Sequence, residues 1–77
     1  MEIEIISFGQ IAEFLKLRKL ELNDVRDTEG LKTFLEKEYP KLKGIKYKLA
    51  LNKFVVHQNT ELSDRCTIAI MPPFSGG

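Results

Sequence analysis

The sequence predicts an α+β domain in which a mixed sheet has one face covered by a single well-formed helix. Two kinds of segment predict it. Short stretches at both ends of the chain alternate or cluster β-branched residues, and one central segment repeats apolar residues at helical spacing. Asn-Asp, Asn-Lys and Pro-Pro pairs separate these segments and act as breaks.

Residues Glu2 to Phe8 alternate charged and β-branched types, which fits a strand. Gly9 opens a segment from Gln10 to Leu15 with Ile11, Phe14 and Leu15 at helical spacing. Two turns are too short to be stable alone, so packing has to hold this helix. Lys19 to Leu22 alternates again and reads as a second strand ended by Asn23-Asp24. The main helix is expected from Thr28 to Tyr39, with Thr28 as its cap and Glu29 at the positive end of its dipole. Leu31, Phe34, Leu35 and Tyr39 form its apolar stripe, Gly30 is a weak spot in its first turn, and Pro40 stops it. A loop follows over Lys41 to Lys46. Strands are then expected at Tyr47 to Leu51 and Phe54 to Val56, joined by a tight turn at Asn52-Lys53 that lacks the usual glycine. His57 to Cys66 is a polar connection with Leu62 tucked beneath it. Thr67 to Met71 is the last strand, and Pro72-Pro73 ends it because neither residue can donate to a ladder.

Size and composition narrow the function. With 77 residues the chain makes one domain with a thin core and no room for a deep internal active site. A net charge of +1 gives no general attraction to nucleic acid or to an anionic membrane. Basic residues thicken between Lys41 and Lys53, but they alternate with Leu, Ile and Tyr as on the solvent side of a strand. The start lacks a signal-peptide pattern, and no apolar run approaches the roughly 20 residues that span a bilayer. The single Cys66 has no internal disulfide partner, and no cysteine or histidine cluster marks a metal site. A cytoplasmic protein that binds no metal is expected.

The chemistry is concentrated in the last six residues, Pro72-Pro73-Phe74-Ser75-Gly76-Gly77. Two prolines hold the exit extended, and two glycines end it without side chains. Fully stretched, six residues reach roughly 20 Å. Such an arm fits a channel in another protein too narrow for bulkier residues, while Phe74 is large enough to anchor it. Terminal glycines are also what a frayed chain end looks like. The combination of Gly-Gly with a proline-led arm after the last strand favours a working terminus. The expected division is a domain over 1–71 and a tail over 72–77.

The stretch from Leu49 to Gly77 resembles the small, sulfur-carrying subunit of molybdopterin synthase, a ubiquitin-like β-grasp family. The matching features are Leu51-Asn52, Leu62-x-Asp64, Ile68 to Met71 and Pro72-Pro73-x-Ser75-Gly76-Gly77; Ser7-Phe8-Gly9 with Glu13, and Tyr39-Pro40, extend the likeness to the whole chain. Two positions depart from the family pattern. Ala12 stands where the family usually has Arg, and Arg65-Cys66 where it usually has Gly-Asp. The resemblance implies a five-stranded mixed sheet packed on one main helix plus a short one. It also implies a mechanism: a ubiquitin-activating-type enzyme uses ATP to adenylate Gly77, a sulfur donor converts the terminus to a thiocarboxylate, and the tail enters the large subunit. There sulfur passes to a cyclic pyranopterin precursor. On this reading the chain binds no cofactor, is no catalyst by itself, and works in a heterotetramer of two small and two large subunits.

Strand parity adds a candidate docking face. Ile3, Ile5, Phe54, Val56, Ile68 and Ile70 are expected to point into the core, leaving Glu2, Glu4, Ile6, Phe8, Val55, Ala69 and Met71 outside. Phe8, Val55 and Met71 are too apolar for a plain solvent face, and the resemblance implies that partners dock there. Ile6 is also outside by parity, with cover by the short helix or by loops as an alternative. His57 reads as a surface or turn residue, Cys66 as a buried or half-buried small residue, and the pairs Asp24/Asp27 and Glu36/Glu38 as a turn and a solvated helix face. Three other functions share parts of this pattern: a carrier for thiazole or another sulfur pathway, a modifier joined to lysines through Gly77, and a binding module with an inert tail.

Overall fold

Alternation in the first segment produces a strand with one apolar face. In the computed structural model, which describes residues 1–72, β1 spans Glu2–Ser7 and buries Ile3 and Ile5 while Glu2, Glu4 and Ile6 face outward. Pro73, Phe74, Ser75, Gly76 and Gly77, the expected arm beyond Pro72, lie outside the described residues. A short helix α1 (Ile11–Phe14) follows, then β2 (Lys19–Glu21), the main helix α2 (Thr28–Glu38), a 3-10 helix over Pro40–Gly44, β3 (Lys48–Leu51), β4 (Phe54–Val55) and β5 (Thr67–Met71).

The strands form one five-stranded sheet in the order β2-β1-β5-β3-β4. β1 and β5 run parallel at its centre, and the other pairings are antiparallel. The long connection required by a parallel pair carries both helices and the antiparallel strands. One face buries Ile3, Ile5, Leu49, Ile68 and Ile70 together with Leu31 and Leu35 of α2, Ile11 of α1 and Leu42 of the 3-10 helix. This is the mixed sheet with one main and one short helix that the sequence predicts.

Several details differ from the sequence reading. Asp27, not Thr28, caps α2: its Oδ1 accepts from Gly30 N at 2.8 Å. Thr28 is buried instead. It donates to Asn59 Oδ1 at 3.3 Å and accepts from Thr60 N at 2.9 Å, which ties the helix to the long connection before β5. Gly30, expected as a weakness, makes room for this cap, since a Cβ there would lie 3.0 Å from Asp27 Oδ1. The loop expected over Lys41 to Lys46 contains the 3-10 helix, with Pro40 at its first position and Leu42 driven fully into the core. Glu36 does not belong to a purely solvated face, because it accepts a hydrogen bond from the Tyr47 hydroxyl. Burial and that carboxylate both push the Tyr47 phenol upward from its usual range.

Phe54 is the clearest departure. It pairs with Leu51 and so keeps the inward parity expected of it, yet it is 78% exposed. β4 has only two residues and is the last strand in the sheet order, so parity there points beyond the core that covers the central strands. The Asn52-Lys53 turn forms without glycine: both residues have positive φ, 49° and 78°. This is the pattern of a type I′ hairpin turn.

Candidate functional site: the outer sheet face and the exit at Pro72

The face of the sheet away from the helices carries an apolar strip because small residues sit at its centre. Register places Ile6 beside Ala69, Ala69 beside Ala50, and Ala50 beside Val55, one row across four strands. The two alanines form a low floor, and longer side chains stand on either side of it. Ile6, Phe8 and Val55 are 45%, 47% and 41% exposed. Met71 is half-buried in the next row, beside Lys48. Of the expected docking residues, Phe8, Val55 and Met71 therefore all lie on this face. Ile6 is exposed rather than covered by α1, so it joins them.

Polar groups border the strip and fix its edges. At one end Thr67 Oγ1 donates to Glu4 Oε1 at 3.3 Å. Asn52 ties the hairpin to β5, donating its backbone N–H to Thr67 O at 2.8 Å while its Oδ1 accepts from Thr67 N at 2.9 Å. Asp64 Oδ1 accepts from Glu2 N at 2.7 Å and joins the turn before β5 to the start of β1. The residues Asn52 and Asp64, which carried part of the family resemblance, thus hold the two central strands in register with their neighbours. Arg65, where the family usually has Gly, adopts a φ of 67°.

The strip ends where the chain leaves the sheet. Phe8 N donates to Ile70 O at 3.0 Å, which keeps the last residues of β1 and β5 side by side. Pro72 is buried directly after β5 and lies against Gly9, at the rim of the strip. Gly9 was not among the expected site residues. Its signal in the sequence is its place immediately after an exposed aromatic residue at a strand end, but the contact with Pro72 spans 63 positions and no local pattern encodes it. Ala69 was expected on the outer face, but Ala50 and the floor the two alanines form together were missed for a similar reason, since that arrangement depends on cross-strand register.

The remaining candidates are structural. Cys66 is buried in the core cluster. Among the described residues, no group of three His, Cys, Asp or Glu side chains is arranged to hold a metal, and no helix is long and apolar enough to cross a membrane. The pKa of Asp27 is lowered, first by the backbone hydrogen bond from Gly30 and then by the Asn59 side chain, as expected of a helix cap. What the described residues offer a partner is this exposed apolar face, ending at Pro72.

Comparison with known proteins agrees with this arrangement. No curated protein matches the chain by sequence. Among solved structures, the chain is similar to one chain of the protein–protein complex of subunits 1 and 2 of molybdopterin-converting factor from Helicobacter pylori 26695. The two share 28% identity with a TM-score of 0.70, and the match covers 100% of both chains. SAMP1 from Haloferax volcanii has the same fold, with a TM-score of 0.72, 18% identity and 100% coverage of both chains. Both neighbours share the ubiquitin-like β-grasp architecture seen here. The model of the ThiS family matches residues 5–77, nearly the whole sequence and including its last residue. The chain therefore belongs to the ThiS family, the ubiquitin-like sulfur carriers.

Proposed function

We propose that this chain is the sulfur-carrying small subunit of a molybdopterin synthase, with Gly77 as the residue that takes up and gives up sulfur. The observation that carries the reading is the exposed apolar strip of Ile6, Phe8 and Val55 ending at the buried Pro72, which in the sequence directly precedes Pro73-Phe74-Ser75-Gly76-Gly77. The full-length likeness to a chain of molybdopterin-converting factor favours this pathway over other uses of a sulfur carrier.

A free carboxylate is a poor electrophile, with a reference pKa of about 3.5 that keeps it ionised. A ubiquitin-activating-type enzyme solves this with ATP: a carboxylate oxygen of Gly77 attacks the α-phosphorus, the bond to pyrophosphate breaks, and an acyl-adenylate results. A sulfide-level nucleophile from a sulfur donor then attacks the acyl carbon and AMP leaves, which gives a terminal thiocarboxylate. In the large subunit that sulfur forms a carbon–sulfur bond with a cyclic pyranopterin precursor, and water returns Gly77 to a carboxylate. The small chain supplies reach and docking in these steps. Pro72 and Pro73 direct the arm, Phe74 anchors it, and Ser75, Gly76 and Gly77 pass through the narrow part of the channel. The pocket and the proton-moving groups belong to the partners.

Reconstitution tests the reading. The chain is loaded by the activating enzyme with ATP and a sulfur source, then mixed with the large subunit and the precursor. A dithiolene product is expected, and none with a chain lacking Gly77. Loading without product would move the protein to thiazole synthesis or another sulfur pathway, where the same terminal chemistry serves a different acceptor.

A further inference from the structure

The contact between Gly9 and Pro72 has a geometry that suits the base of an arm. A Cβ built on Gly9 would lie 2.9 Å from Pro72 Cγ and 3.6 Å from Pro72 Cδ, so only a residue without a side chain lets the proline ring settle there. Gly9 also has a φ of 59°, a conformation that glycine adopts without strain. The seat is fixed on both sides. Phe8 N donates to Ile70 O at 3.0 Å, and Gly9 O accepts from Ala12 N at 3.1 Å, so β1, β5 and α1 all meet at this residue.

We propose that Gly9 is the positioning residue of the C-terminal arm, acting through Pro72. This inference rests on the carrier reading given above. With Pro72 seated, five residues follow it in the sequence, and fully stretched they could span at most roughly 17 Å from that point at the edge of the docking strip. Once Phe8, Ile6 and Val55 are docked, the direction and origin of the arm are already set, and less ordering is left to the insertion step. Without the seat the origin becomes mobile by at least one residue. The terminal carboxylate then samples positions outside the reaction geometry while the docking strip itself stays intact.

The role separates from simple stability in steady-state kinetics of Gly77 adenylation, followed as pyrophosphate exchange with the activating enzyme. Asn tolerates positive φ, so Gly9→Asn keeps the backbone while its Cβ displaces the ring. Pro72→Ala removes the ring from the other side and does not depend on the Gly9 backbone. Each variant is expected to lower kcat by about fivefold or more, with KM within about twofold of wild type, because misplacement and not docking is affected. The double variant is expected to lose no more than either single one, since both abolish the same contact. In wild-type protein, a nuclear Overhauser contact between Gly9 Hα and the Pro72 ring reports the seat directly. Single variants with wild-type kcat, additive losses in the double variant, or no such contact in wild type would overturn the proposal while leaving the carrier reading intact. A wild-type chain that is adenylated by no activating enzyme would overturn the carrier reading and the seat's role with it.

Discussion

Among the described residues, three that bear side chains hold left-handed backbone: Asn52, Lys53 and Arg65. Asn52 compensates through its side-chain bond to Thr67, but Arg65 has no such bond and points a largely exposed side chain past Asp64. Its backbone N–H still donates to Glu2 O, so the turn is kept at the expense of local strain. Left-handed conformation costs a non-glycine residue about 1–2 kcal/mol, part of which glycine gives back through its freer unfolded state. Arg65→Gly should therefore stabilise the domain by about 0.5–1 kcal/mol in urea unfolding, with an unchanged m value. An equal or lower stability would mean that the Arg65 side chain makes compensating contacts. At this scale the sequence was readable where chemistry is local. The Asn52-Lys53 turn was expected without its glycine, and Cys66 was expected to be buried or half-buried. The seat at Gly9 and the burial of Thr28 were not, because Pro72 and Asn59 reach them from distant parts of the chain.

The elements show the same division. Strand parity placed Ile3, Ile5, Ile68 and Ile70 inside and Phe8 and Val55 outside, because alternation is dictated by the pleat. It failed for Phe54 because parity says which face a residue takes, not whether that part of the sheet is covered. The helix α2 was legible from its stripe, but its cap was assigned one residue late. That cap gives a pH prediction. The carboxyl of Asp27 is held below its ordinary value of 3.8, so its contribution to stability is present above that pH and is lost as the pH falls below 3.8 through the lower folded-state value. Asp27→Asn keeps an acceptor for Gly30 N and removes the titration. Between pH 5 and pH 2.5 the melting temperature of Asp27→Asn should accordingly fall less than that of wild type; parallel curves would assign acid sensitivity elsewhere. The outer strip carries its own test. Phe8→Asp should leave the fold unchanged, since the side chain is 47% exposed, and weaken binding to the large subunit by about tenfold or more in calorimetry. An unchanged Kd would remove Phe8 from the interface.

For the whole molecule, size limits the interior. A 77-residue domain buries a single thin core, here of Ile and Leu side chains among the described residues. Its sheet supplies a rigid mount, an exposed apolar face and a buried proline directly after the last strand, and on the proposed reading the reacting carbon is that of Gly77. The fold and the residues of the outer face could be read from periodicity; the expectation for the terminus came from the last six residues, five of which lie outside the described residues. The strip's alanine floor and the Gly9–Pro72 contact appear only once the strands are in register. The sulfur-carrying role proposed for Gly77 is checked by mass spectrometry of the protein isolated from its native host. An intact chain with one oxygen of its Gly77 carboxylate exchanged for sulfur is expected. A terminus that stays unmodified even after treatment with ATP, activating enzyme and sulfur donor would contradict it, as would Gly-Gly remnants of this chain on the lysines of other proteins in place of a thiocarboxylate.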